Sequence, residues 1–182
     1  MCRCSWAENN ALMRAYHDTE WGKPVYDDRH LFELLILEGK QAGLSWQIIL
    51  NRRQGLREAL DNFNWKIIQY YTDDTLEKLR HDERLIKHKL KIKALRENAI
   101  AFEQVCIEYG TFCQYIWSFV DNQPIVNHWE HIGEVPVNSE LSDKISRDLK
   151  KRGFKFVGST IIYSYLQAIG IINDHLDHCA FK

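Results

Sequence analysis

In the stretch LFELLILEGKQAGLSW (31–46), Leu31, Leu34 and Leu35 recur at helical spacing, and the next position on that apolar face is Glu38. A carboxylate there is a core acid paired with an arginine, a surface acid misphased by one residue, or a group kept for a ligand. Gly43 breaks the helix, Leu44 stands alone at the break, and Ser45 is placed to cap a second helix that begins at Trp46. An acid, an apolar tip and an indole at one corner suit a flat ligand that is cationic or donates hydrogen bonds. Tyr16 and Trp46 each read as core residues on their own. Taken with Glu38 they could sandwich a base and accept from its edge, as an extruded nucleobase requires.

A second constellation joins the chain ends. Cys4 lies near one terminus, while His175 and Cys179, at i, i+4 spacing, lie near the other, and His17 follows the first helical pattern. Two thiols and two imidazoles are a donor set that zinc favours in four-coordinate structural sites. Cys2, Asp174 and His178 compete for the same role, and spacing alone does not remove them. A third feature is basic: Arg52 and Arg53, then Lys87, His88, Lys89 and Lys91, then Lys150, Lys151, Arg152 and Lys155. Each cluster alone reads as a solvated face; three at helix ends resemble a phosphate-tracking surface. The turn at 82–89 is the best placed, because its backbone N–H groups can hold a phosphate oxygen.

The elements that must position these residues are helical. Three prolines in 182 residues and repeated 3.6-residue periods predict an all-α chain forming one body over 1–182. Caps are expected at Asn9 or Asn10, Asn64, Asp74 (a capping box with Glu77), Thr111, and Ser139 or Ser142. A short helix, the 82–89 turn and a long helix to about Tyr109 follow one another. Residues 124–137 show no period and read as a connection, and Gly153 stops the next helix.

A net charge of −1 argues against indiscriminate coating of nucleic acid and leaves room for a local basic face. Five cysteines, an odd number, point to reduced thiols, with Cys106 and Cys113 packing as small hydrophobes. No signal-peptide pattern or apolar run of membrane length is present, so a soluble, cytoplasmic protein is expected.

Cys4-Ser5-Trp6, AYHDTEWG (15–22), LFELLILEGKQAGLSW, IWSFV (116–120), KKRGFKFVG (150–158) and the closing NDHLDHC resemble, in order and over nearly the whole chain, the bacterial 3-methyladenine DNA glycosylase I family. The resemblance implies a helix-hairpin-helix fold with the hairpin at 82–89, and a structural zinc held by Cys4, His17, His175 and Cys179. It implies a base pocket made by Glu38, Tyr16 and Trp46, with Trp21 and Trp6 beside it, and Glu38 as the catalytic-site carboxylate. Gly43 and Leu44 would enter the duplex, and Lys87, Lys89 and Lys91 would meet phosphate. The implied activity is monofunctional excision of 3-methyladenine from double-stranded alkylated DNA by a monomer, with free base as product. Two departures stand out: the glycine common in such hairpins is missing, with Arg84 in its neighbourhood and Leu90 just beyond, and no catalytic aspartate is evident. From another class, the same features would suit a zinc-stapled module that binds damage without cleaving.

Overall fold

Asn10 starts the first α-helix, its side chain accepting from the Met13 N–H at 2.9 Å, and α1 (Ala11–Thr19) carries Tyr16 and His17 into the interior. The computed structural model describes residues 2–41 and 43–182. Helix α2 (Asp28–Gln41) is buried over every residue from Leu31 to Lys40. The expected single apolar stripe is thus replaced by a helix enclosed on all sides, so Glu38 shares its burial with Glu33 and Lys40. Gly43 turns the chain at φ +83°, and α3 (Trp46–Ala59) follows. Ser45 occupies the N-cap position with extended backbone, yet its hydroxyl makes no capping bond; the Ile48 N–H bonds the Ser45 carbonyl instead, at 3.1 Å.

Two short helices, α4 (Trp65–Ile68) and α5 (Asp73–His81), lead to the hairpin. Asn64 caps α4 as expected, but α5 is capped by Thr72, whose hydroxyl accepts from Thr75 N, and not by Asp74. The hairpin turns over 82–88 into α6 (Lys89–Tyr109), whose first turn is capped by His88 Nδ1. Arg84 folds back on Asp82 at 2.6 Å, and its stem covers Gly55 of α3 so closely that a Cβ there would stand 3.3 Å away. The hairpin is therefore seated on α3 by an arginine stem lying over a glycine.

Thr111 caps α7 (Phe112–Ser118), and Ser139 with Ser142 caps α8 (Glu140–Lys151), which ends before Gly153 at φ +95°. Helix α9 (Ser159–Ala168) closes the bundle. The connection over 124–137 is less irregular than its sequence suggests. Its β1 (Ile125–Val126) pairs in parallel with β2 (Ile172–Asn173), in the register Ile125 to Ile172, and a short 3-10 turn covers Ile132–Glu134. Helices α2, α3, α6, α7 and α9 contribute most of the main core, while Cys4, Met13, Tyr16, Trp21, Leu50, Leu176 and Cys179 form a second cluster that joins the chain ends.

Candidate functional site

A cavity of about 420 Å³ opens where these two clusters meet. Tyr16 and Met13 from α1, Glu38 and Gln41 from α2, and Trp46 from α3 line one side, with Trp6 and Trp21 beside them. The other side is made by Thr160, Tyr163, Ser164 and Gln167 of α9 and by Ile132 and 135–137 of the connection. Glu38 is 3% exposed, and its Oε2 has no hydrogen-bond partner among the described residues; the Trp46 indole Nε1 is likewise buried and unpartnered. Burial pushes the Glu38 carboxyl up to about 8. It pushes the Tyr16 hydroxyl well above its usual range too, with the Glu38 and Glu20 charges adding to the effect. No arginine pairs with Glu38: Arg53 instead binds Glu33 at 2.6 Å and Glu20 at 2.7 Å, and Arg57 completes the cluster at Glu33. Arg53, which the sequence suggests for phosphate, is therefore buried in an ion-pair network that fixes α1, α2 and α3 together. Arg52 is spent on the hairpin, donating to the Glu83 and Leu85 carbonyls.

The aromatic arrangement differs from a sandwich. Tyr16 and Trp46 have ring centroids 5.3 Å apart at an interplanar angle of 51°. A base held between two rings needs about 7 Å, twice a van der Waals contact. The two rings thus form adjoining walls. Trp6 meets Trp21 edge-on at 5.0 Å. An apolar, aromatic cavity lined by a buried carboxyl and an indole, each with a polar atom unpartnered among the described residues, suits a flat ligand that carries positive charge or donors on one edge. The polar row Thr160, Ser164 and Gln167 escapes the sequence reading, although its spacing of four and then three residues in the otherwise apolar STIIYSYLQA was the available signal. Gln41 and the 132–137 wall carried no comparable signal.

Cys4, His17, His175 and Cys179 are all buried, and their donor atoms lie within 4.8 Å of one another. Cys179 Sγ is 3.6 Å from His17 Nε2 and 3.4 Å from His175 Nδ1, and Cys4 Sγ is 3.8 Å from His175 Nδ1. A tetrahedral ion with ordinary zinc bond lengths has ligand-to-ligand edges of about 3.3–3.8 Å, so the donor set fits such an ion. The outer nitrogens are committed: His17 Nδ1 to Asp18 at 2.8 Å, and His175 Nε2 to the Trp21 carbonyl at 3.1 Å. A carbonyl only accepts, so His175 carries its proton on Nε2 and turns Nδ1 toward the thiols. Arg3 binds Asp18 and holds its carboxyl down at about 2. Gly22, at φ +75°, allows the close approach: a Cβ there would be 3.0 Å from His175 Cδ2. Of the competing ligands, Cys2 and His178 are exposed and Asp174 is bonded elsewhere. Trp6 and Trp21 pack on His17 at 5.2 and 6.0 Å, so the same rings cover the metal cluster and line the cavity.

At the corner, Gly43 is exposed, whereas Leu44 is half-buried and packs on the main core. Lys87 and Lys89 are exposed, Lys87 with a 2.7 Å ion pair to Glu83. Lys91 departs from the expected basic surface. It is 7% exposed, and its Nζ donates to the Lys40 carbonyl at 2.8 Å, capping the end of α2. Lys40 itself is buried, its ammonium brought down to about 8 by burial and by the Lys91 charge, and it does not line the cavity. Arg152 is tied to Glu108 and Asp148, which neutralises part of the third basic cluster.

Residues 6–182 match the family model described as methyladenine glycosylase. The chain is 42% identical over 179 residues to DNA-3-methyladenine glycosylase 1 of Escherichia coli (strain K12), covering 98% of this chain and 96% of that one. It is 41% identical over 182 residues to DNA-3-methyladenine glycosylase of Haemophilus influenzae (strain ATCC 51907 / DSM 11121 / KW20 / Rd), covering 99% and 97%. Its fold superposes on 3-methyladenine DNA glycosylase I from Staphylococcus aureus, solved to explain 3-methyladenine recognition, with a TM-score of 0.96, 32% identity, and coverage of 99% and 96%.

Proposed function

This chain belongs to the methyladenine glycosylase family, and on that premise we propose that it hydrolyses the N-glycosidic bond of 3-methyladenine in double-stranded alkylated DNA. The products are free 3-methyladenine and an abasic site in an uncut strand. The observation that carries this reading is Glu38, buried in an aromatic cavity with its Oε2 unpartnered among the described residues. A methyl group on N3 leaves adenine cationic and weakens its bond to the sugar, so the lesion is already a good leaving group. What the protein must supply is extrusion, selection and positioning.

Selection follows from charge. A neutral purine entering the cavity meets a carboxyl that burial keeps protonated near neutral pH. A cationic purine stabilises the ionised form, so ionisation of Glu38 and seating of the lesion are one linked event, and Glu38 Oε2 then accepts from the donor edge of the base. The Trp46 face adds about 0.5–2 kcal/mol toward a cation. Tyr16 forms the adjoining wall, with Trp6 and Trp21 beside it. Extrusion costs a few kcal/mol of stacking, and Leu44 beside the exposed Gly43 fills the space left in the duplex. Lys87 and Lys89 at the hairpin meet phosphate.

Cys4, His17, His175 and Cys179 would hold a structural zinc, whose contribution when bound is to fasten the arm bearing Trp6 and Trp21 against the closing turn. The whole chain, 1–182, acts as one glycosylase domain, a monomer working in the cytoplasm. Among the described residues no helix is long and apolar enough to cross a membrane.

The test is base release from a methylated duplex that carries both 3-methyladenine and 7-methylguanine. Release of free 3-methyladenine in excess, with an uncut strand and a much slower rate for Glu38→Gln under single turnover, is the expected result. Tight binding to the duplex without release would replace the enzyme with a damage-binding module. A duplex cleaved after base release would make it a lyase.

A further inference from the structure

Asp174 is fully buried, and both of its oxygens are doubly used. Oδ1 accepts from Asn127 Nδ2 at 2.7 Å and from Trp129 Nε1 at 2.8 Å, while Oδ2 accepts from the Tyr163 hydroxyl at 2.7 Å and from Gln167 Nε2 at 2.7 Å. All four donors are neutral, so each bond is charge-assisted with no counter-ion to share it. The donors come from two places. Tyr163 and Gln167 line the base cavity from α9, and Asn127 and Trp129 open the segment whose Ile132 and 135–137 form the wall beside them. Asp174 itself does not reach the cavity. Backbone bonds brace the same joint: Asn127 N–H to the Asn173 carbonyl at 3.0 Å, and Asp177 N–H to the Trp129 carbonyl at 2.9 Å.

We propose that Asp174 is a positioning residue that sets the width of the base cavity by fastening the 127–137 wall to α9, and thereby selects for a small alkyl group on the purine. A carboxylate suits this task better than an amide. It presents acceptors only, so all four donors are satisfied at once, whereas an asparagine would turn two donor hydrogens toward two of them. Loss of one oxygen as an acceptor frees either Tyr163 and Gln167 or Asn127 and Trp129 of the opposing segment, and the gap between the walls is then no longer fixed. This inference rests on the base-excision reading above.

The experiment measures binding of free 3-methyladenine and of 3-benzyladenine to the wild-type protein and to Asp174→Asn, with metal content and melting temperature recorded for each. In the wild type, 3-methyladenine binds and the bulkier purine binds much more weakly. In the variant, where one oxygen and both of its accepted bonds are lost, the preference for 3-methyladenine falls by about tenfold. A uniform weakening of both ligands, or no change in either, overturns the proposal, since a purely structural role does not alter their ratio. Should Asp174→Asn not fold, Trp129→Phe removes one donor that does not itself line the cavity, with metal content again recorded because Trp129 packs on the cluster holding Cys4 and Cys179, and an unchanged ratio there overturns it equally. A wild-type protein that binds neither purine would instead refute the base-excision reading itself.

Discussion

Glu38 and Trp46 line one cavity, and the buried Glu38 Oε2 and Trp46 Nε1 have no hydrogen-bond partner among the described residues. An unsatisfied buried polar group costs about 1–3 kcal/mol. The fold therefore carries a local instability that a ligand with both a donor and an acceptor edge relieves. Glu38→Met is expected to raise the urea midpoint while removing base release. A variant that is less stable than the parent would mean that the carboxyl is satisfied in the free protein.

The Glu38 carboxyl also gives stability a pH dependence of defined sign. Its folded value is raised from 4.5 to about 8. Between those values the unfolded chain has lost a proton that the folded chain keeps, so stability is full below pH 4.5 and falls as pH rises toward 8. The slope approaches ~1.4 kcal/mol per pH unit. Urea melts from pH 5 to pH 8 on wild type and Glu38→Gln measure it. The glutamine variant should lose this downward component, and an unchanged profile would place the proton elsewhere.

Lysines of the hairpin separate by burial. Lys87→Ala should weaken DNA binding about equally for all sequences and reduce the salt slope by about 1, leaving the melting temperature in place. Lys91→Met should do the reverse, because its ammonium caps α2 and is not on the surface. Salt-dependent affinity beside thermal melts distinguishes them, and a salt slope altered by Lys91→Met would return that residue to the interface.

Arg53→Met strips a guanidinium shared by Glu20 and Glu33. A buried pair broken from one side typically costs about 3–5 kcal/mol. Arg57→Met touches the same Glu33 from a position 37% exposed, and the loss should stay under about 1 kcal/mol. Equal losses in denaturant melts would show that the network is not apportioned in this way.

How far the sequence reaches is visible in these residues. Helix periods, the Gly43 corner and the caps at Asn10, Asn64, Thr111 and Ser139 are local features, and they are legible because a cap bonds within three residues of itself. The Cys and His set was visible as residue types, but its selection over Asp174 and His178 came from a resemblance, since a site closed over more than 170 positions leaves no local spacing. The expectations for Arg53 and Lys91 erred for one reason. A basic residue near a helix end looks the same whether it meets solvent or the end of another helix. Asp174 was noticed only as a competing ligand, because its four partners come from two distant segments.

Gly22→Ala tests the metal centre without touching a ligand. A Cβ placed 3.0 Å from the His175 ring, on a backbone at φ +75°, must push the imidazole or the loop aside. The variant is expected to bind zinc at the Cys4, His17, His175 and Cys179 cluster more weakly than the parent, to melt lower, and to regain stability when zinc is added. Metal analysis and melting with and without chelator report both effects, and a variant with full metal and unchanged melting would show that the close approach is dispensable.

The contact of Cys4 with His175 spans 171 positions, and β1 is completed only by Ile172–Asn173. The walls of the pocket therefore come from segments far apart in the chain, from Trp6 to Trp46, over 132–137 and from Thr160 to Gln167. Helix α2 is closed from far along the chain as well, its Asp28 accepting from Phe112 and Cys113 N–H groups and its Leu31 carbonyl from the Tyr165 hydroxyl. The chamber is thus built from contacts of long sequence separation, whose loop-closure cost places its completion late in folding.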